Sequence, residues 1–343
     1  MKTSQALGLV AVAGACGLVL SRIARTTHGI DFYGKSVVIF GGSRGLGLEI
    51  ARQLAAEGAY LTLCARDAEE LERARIDLDD RGFSATTIPC DIRDRRDVEA
   101  AIQRVVAEHG LIDVLINDAG IIQVGPVELT TVADFENAMA THFWGPLFTI
   151  LAALPHMRRA GHRRIVNISS IGGKIAVPYL VPYSASKFAL TGLSEGLRAE
   201  LADDGFAVTT VCPGLMRSGS TYHAQFKGQH EQEFAWFNFA DSMPGLSISA
   251  RRAATQIIEA CRRGDPELIL TPAARLAVAM NGISPSFTAR LLAVVNWLMP
   301  STGDADADET RSGRQSVSSH VPSAMTRLGD RATIKNNELP APD

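Results

Sequence analysis

Three observations predict an α/β protein built as a doubly wound parallel sheet in a single domain. From residue 34 onward short apolar runs alternate with amphipathic helical stretches. A glycine-rich turn separates the first such run from the first helix, and the end of a later run is followed by a serine, a tyrosine and a lysine at short spacing. An apolar helix is expected ahead of this domain, and a disordered tail behind it.

Residues 1–29 stand apart. Residues 6–20 are an unbroken run of small apolar side chains, about 22 Å long as a helix against a hydrocarbon core of about 30 Å. Continuing to Ala24, with Arg22 reaching back to the headgroups, brings the span to about 28 Å. That length favours an uncleaved membrane anchor over a signal peptide or a soluble helix. Lys2 and the amino terminus balance Arg22 and Arg25, so charge does not orient the segment.

The domain is expected over residues 30–272. Residues 36–40 read as a buried strand, and Gly-Gly-Ser-Arg-Gly-Leu-Gly follows at 41–47, opening a helix over 48–57. Glycines there let the backbone turn tightly and approach a pyrophosphate, which free amides at the helix start favour. The next strand, 60–65, ends in Arg66. An acidic residue at that place would bond the 2'-hydroxyl of NAD, whereas Arg66, with Arg44 from the glycine turn, offers cations to the 2'-phosphate of NADP. Either arginine also fits a solvated surface charge. A charged helix over 67–81 and a strand over 85–90 lead to Asp91, which suits either an adenine amine or the cap of the helix beginning near Asp94. A strand at 114–116 runs into Asn117, Asp118, Ala119 and Gly120, a turn-forming cluster, and a long helix over 133–159 carries His142.

The strand 164–168 ends beside Ser170, and Tyr183 and Lys187, four residues apart, share one helix face. A phenol of pKa about 10 is a poor base at neutral pH, but a cation one turn away favours the phenolate, and a serine hydroxyl can bond an oxygen on which charge develops. A strand over 207–211 ends at Pro213 and Gly214. Residues 216–247 are loop-rich and hold Tyr222, Phe226, Phe234, Trp236, Phe237 and Phe239, fitting either a lid over an apolar ligand or aromatic pins for an insertion. A helix over 249–263 and a strand over 267–270 follow. Residues 273–300 form apolar helices that pack on the core, cover a channel or lie on a membrane, and 301–343 is the polar tail.

Taken together, these residues resemble the short-chain dehydrogenase/reductases over roughly residues 34–270. The carriers are Gly41, Gly45 and Gly47, with Phe40 where threonine is usual; Asp91; the Asn117–Gly120 turn, with Asp118 in place of a second asparagine; Ser170, Tyr183 and Lys187; and Pro213 with Gly214. The resemblance implies a Rossmann-like sheet and an NADP(H) site that also draws on Ser43, Arg44, Leu46, Arg66, Asn117, Ala119 and Gly120. Tyr183 would exchange a proton with substrate oxygen, Lys187 would hold the nicotinamide ribose and depress the tyrosine pKa, and Ser170 would orient the carbonyl. His142 stands where many members carry an asparagine of the proton relay, and a histidine of pKa near 6.5 would make that relay sensitive to pH.

The implied activity is NADP(H)-dependent interconversion of a hydrophobic, lipid-like ketone or aldehyde and its alcohol. The alternative is a catalytically impaired NADP(H)-binding regulatory or scaffold protein. Self-association as a homodimer or homotetramer through the long helices is expected, as is a membrane-associated chain with its catalytic domain on the cytoplasmic side, where NADPH is available. A net charge of -3 with 21% charged residues gives no basic footprint for nucleic acid. Cys16, Cys64, Cys90, Cys212 and Cys261 are scattered without a Cys-x-x-Cys pair, which predicts reduced thiols and no metal site.

Overall fold

The computed structural model describes residues 29–243, 246–299, 309–317, 329 and 332–338. Seven strands, β1 (Ser36–Phe40), β2 (Tyr60–Ala65), β3 (Ala85–Pro89), β4 (Val114–Asn117), β5 (Arg164–Ile168), β6 (Ala207–Cys212) and β7 (Glu267–Ile269), make one sheet in the order β7-β6-β5-β4-β1-β2-β3. Every neighbouring pair is parallel. The helices are α1 (Gly45–Ala56), α2 (Ala68–Asp79), α3 (Arg95–His109), α4 (Val132–Met139), α5 (Gly145–Met157), α6 (Val181–Glu200), α7 (His230–Ser242), α8 (Ala250–Arg263), α9 (Pro272–Ile283) and α10 (Pro285–Trp297).

A parallel sheet covered on both faces needs strands that are apolar throughout, and β1, β4 and β5 are buried along their whole length. Alternation along β1 divides its side chains between two cores. Val37 and Ile39 join Leu54 of α1, Leu78 of α2 and Ile257 of α8, while Val38 and Phe40 join Ile102 of α3 and Ile150 of α5. The doubly wound sheet expected from the sequence is therefore present. Cys64, Cys90, Cys212 and Cys261 are buried free thiols.

Three elements differ from the sequence expectation. The helix expected over 133–159 is interrupted by a π-helical turn, Ala140–Trp144, between α4 and α5. One widened turn hardly disturbs an apolar period, so the pattern carries no trace of it. The segment 216–247, expected to be irregular, contains the 13-residue helix α7. Its aromatics face two ways: Phe234 is buried on a small cluster with Phe226, whereas Trp236 and Phe239 are 43% and 37% exposed, so no single apolar stripe marks the helix.

The third difference is the tail, expected to be disordered from 301. Its described parts dock on the domain. Arg311–Ser312 pairs antiparallel with Gln225–Phe226, and Thr333, Asn336 and Glu338 are buried. These polar residues find partners far away in the chain, which composition does not register.

The N-terminal segment expected as a membrane anchor, residues 1–29, lies outside the described residues except for Gly29. No helix among the described residues is long and apolar enough to cross a membrane. Helices α9 and α10 pack on each other but leave Leu276, Ile283, Phe287, Val294, Trp297 and Leu298 exposed.

Candidate active site

Strand order reverses between β1 and β4, and crossovers leaving such a point in opposite directions open a crevice at the carboxyl ends of the strands. A cavity of ≈ 900 Å³ lies there. Of the residues singled out from the sequence, Gly41, Ser43, Arg44, Gly45, Leu46, Arg66, Asp91, Ala119, Gly120, His142, Ser170, Tyr183, Lys187, Pro213 and Gly214 all line it. Two do not. Asn117 turns into the sheet, where its side chain donates to Asn167 Oδ1 (2.9 Å) and accepts from Thr149 (2.7 Å). Gly47 packs against the carbonyl of Gly41 at the start of α1.

At the catalytic end, Ser170 is extended beyond β5, and its Oγ accepts the Gly172 amide at 3.0 Å. Pro182 lies in the first turn of α6, a place suited to proline, and brings Tyr183 into the cavity, where its phenol hydrogen-bonds Ser170. Lys187, one turn on, donates to the Ile168 carbonyl at 2.8 Å and lies 5.7 Å from the centre of the Tyr183 ring. Burial pushes the phenol up to about 12, with the Ser170 bond pulling the other way. The depression expected from Lys187 is thus not produced by the protein groups alone: burial dominates, and Tyr183 stays a protonated phenol. Burial also pushes the Lys187 ammonium down and the Asp118 carboxyl up, each opposed by attraction to the other.

His142 sits in the middle of the π turn, edge-on to Tyr183 with ring centroids 5.3 Å apart. Its Nε2 accepts the Ile121 amide at 3.1 Å, which leaves the ring proton on Nδ1. Nδ1–H then donates to Ser186 Oγ at 2.8 Å, and that hydroxyl donates to the Tyr183 carbonyl at 2.7 Å. Burial and the Lys187 charge hold the imidazole well below its ordinary pKa. In place of the titrating relay group expected near 6.5, the structure shows a neutral ring with both nitrogens committed to protein groups, tying the Asn117–Gly120 turn to the start of α6.

At the other end of the cavity lies the glycine turn. Gly41 has φ +92, and a Cβ there would meet the Ala119 amide at 2.5 Å, so only glycine lets the two strand ends come this close. The start of α1 and the Arg44 and Arg66 guanidiniums line this end of the cavity, a strand-to-helix turn of the kind that receives a dinucleotide, with Glu70 (3.4 Å) and Glu338 (3.2 Å) beside Arg44. Asp91 is held by Arg93 (Oδ2–Nη2 2.6 Å), which keeps its carboxyl below the usual range. Asp118 takes the place of an asparagine in the turn, and its half-buried carboxyl group accepts the Gly47 amide, joining β4 to the glycine loop.

The family model for short chain dehydrogenase matches residues 35–227. The chain belongs to the short-chain dehydrogenase/reductase family. This family comprises oxidoreductases that bind nicotinamide cofactors. Among curated relatives, a dehydrogenase/reductase SDR family protein 7-like from Anopheles gambiae is 32% identical over 81% of this chain and 88% of its own. A fatty acyl-CoA reductase from Acinetobacter baylyi is 30% identical over 81% of this chain and 90% of its own. Among solved structures, a gluconate 5-dehydrogenase from Burkholderia cenocepacia in complex with NADP and tartrate superposes with a TM-score of 0.63 at 26% identity, covering 71% of this chain and 96% of that one.

Several cavity residues escaped the sequence reading. Tyr179, with φ +67, turns the chain into α6 and lines the substrate side; nothing in the local pattern announces a left-handed tyrosine. Glu233 and Asp241 of α7 also line it, and burial pushes their carboxyls up to about 8 and about 7. Glu338 comes from the tail, and only its docking reveals it.

Proposed function

We propose that this short-chain dehydrogenase/reductase is an NADP(H)-dependent enzyme interconverting a hydrophobic ketone or aldehyde and its alcohol. The observation that carries the reading is the Tyr183 phenol. It is half-buried and bonded to Ser170, and it lies where the glycine-loop end of the cavity meets an end lined by Ile122, Val124, Leu180, Trp236, Phe237 and Met299. Arg44 and Arg66 are the cations that favour a 2'-phosphate, and Gly41, Gly45 and Lys187 are the groups that would hold the rest of the dinucleotide. NADPH bound there supplies the hydride.

The chain's own residues do the remaining work. Ser170 and Tyr183 both offer hydroxyl donors to a carbonyl oxygen, stabilising the charge that develops on it. Because burial keeps the phenol protonated, Tyr183 is ready to give its proton to that oxygen during reduction. The Lys187 ammonium, fixed by the Ile168 carbonyl, favours the phenolate left behind. The aromatic wall excludes water and sets the preference for apolar substrates.

Membrane association through the N-terminus is part of the same proposal. The exposed apolar surface of α9 and α10 would then lie on the lipid, with Met299 just beyond α10 at the cavity, giving a lipid-like substrate a short path in. Trp144, Leu151 and Phe188, exposed near the long helices, are the surface proposed for self-association. The test is oxidation of NADPH and of NADH across a panel of hydrophobic ketones and aldehydes. Turnover with a preference for NADPH supports the reading, whereas NADPH binding without turnover of any carbonyl points to a regulatory or scaffold protein.

A further inference from the structure

The polar segment 332–338, at the far end of the chain, reaches the glycine loop and uses the groups a dinucleotide would need. The Gly45 amide, at the start of α1, donates to the Asn336 carbonyl at 2.8 Å. The Asn337 side-chain amide donates to the Ser43 carbonyl at 2.8 Å and the Glu70 carbonyl at 3.1 Å. Glu338 places its carboxylate 3.2 Å from the Arg44 guanidinium, and its carbonyl accepts from His223 (2.6 Å) and Arg314 (2.8 Å).

The space is taken as well as the donors. Gly45 has φ +59, and a Cβ on it would lie 2.7 Å from Glu338 Oε1, so the carboxylate fills the open face that a glycine in this loop provides for close approach of a pyrophosphate.

We propose that residues 332–338 are an internal competitor for the dinucleotide, docked over Gly45 and Arg44 and released when cofactor binds. A clamp closing over bound cofactor would leave the helix-start amide and the arginine free for phosphate. Here both are engaged by the tail, and a carboxylate on this spot repels a phosphate. The docking is also imperfect, which suits a segment that must leave. Asn336 Oδ1 is buried with no hydrogen-bond partner, and burial pushes the Glu338 carboxyl up to about 7 against the pull of Arg44 and Arg314.

The proposal rests on the reading that the glycine loop binds a nicotinamide dinucleotide, and its test separates the two. Full-length protein is compared with the full-length double variant Asn337→Ala, Glu338→Ala for NADPH and NADH affinity by calorimetry. Trypsin cleavage after Lys335 is followed with and without NADPH by mass spectrometry of the released peptide. A tail docked about nine-tenths of the time weakens apparent affinity about tenfold, so the variant should bind NADPH about tenfold more tightly. NADPH should also speed cleavage at Lys335. Equal affinity, weaker binding by the variant, or protection of Lys335 by NADPH would overturn the competitor and leave the cofactor reading standing. Failure of both proteins to bind either nucleotide would overturn both.

Discussion

The two ends of the cavity are built differently. At the catalytic end, Ser170, Tyr183, Lys187 and His142 are held by neighbours within the sheet and its helices: the Gly172 amide, the Ile168 carbonyl, Ser186 and the Ile121 amide. At the glycine-loop end, Ser43, Arg44 and Gly45 are met by side chains and carbonyls from residues 336–338, almost 300 positions further along the chain. Folding of the domain is enough to assemble the first end, whereas the second is conditional on where the tail lies. Chemistry and cofactor access are therefore separable properties of one site.

The largest expected effect falls on the catalytic end alone. Tyr183→Phe removes the proton donor and should lower turnover roughly 100- to 10,000-fold while NADPH affinity holds, measured by steady-state kinetics beside calorimetry. A matching loss of affinity would show that the two ends are not independent. A smaller effect belongs to the cofactor end. Arg66→Ala should weaken NADPH binding about tenfold and leave NADH binding unchanged, since one charge-assisted bond to a 2'-phosphate is lost. Arg66 is the cleaner choice because Arg44 also holds Glu338. If NADH binding falls equally, the residue supports the loop and does not read the phosphate.

The smallest effect is one of pH. His142 is held neutral in the fold, with its pKa well below the unfolded value of about 6.5, so below that pH the unfolded chain binds a proton that the folded chain refuses. Stability is therefore lost as pH falls through about 6.5, by at most roughly 1.4 kcal/mol per pH unit from this group. The raised carboxyls of Asp118, Glu233, Asp241 and Glu338 act in the opposite direction, because the fold takes up protons that the unfolded chain does not. The informative quantity is the difference between wild type and His142→Asn in urea unfolding at pH 6.5 and 5.5. Wild type should lose up to about 1 kcal/mol more than the variant, and parallel curves would mean that the imidazole titrates freely.

What the sequence disclosed follows the range of the interactions involved. The glycine turn, the Tyr183 and Lys187 spacing and the apolar strands are local patterns, since each needs particular residues within a few positions of one another. The π turn around His142 changes the backbone by one turn within an uninterrupted apolar period, so the position of the histidine was visible but its saturated hydrogen bonding was not. Helix α7 was hidden because its aromatics face two sides. The two C-terminal regions invert their compositions: the apolar helices α9 and α10 are left exposed, while polar Asn336 and Glu338 are buried. Burial of those side chains depends on distant groups such as Ser218, Arg44 and His223, which no window of neighbouring residues contains.

The central claim is that this chain moves a hydride from NADPH to a carbonyl carbon while Tyr183 supplies the proton. Turnover of a hydrophobic ketone with NADPH deuterated at the transferable C4 position tests it most directly, with the product alcohol analysed by mass spectrometry for wild type and Tyr183→Phe. The account predicts an alcohol carrying deuterium on the carbinol carbon, formed by wild type and almost absent with the variant. An alcohol without deuterium, or equal labelled product from both proteins, would contradict it.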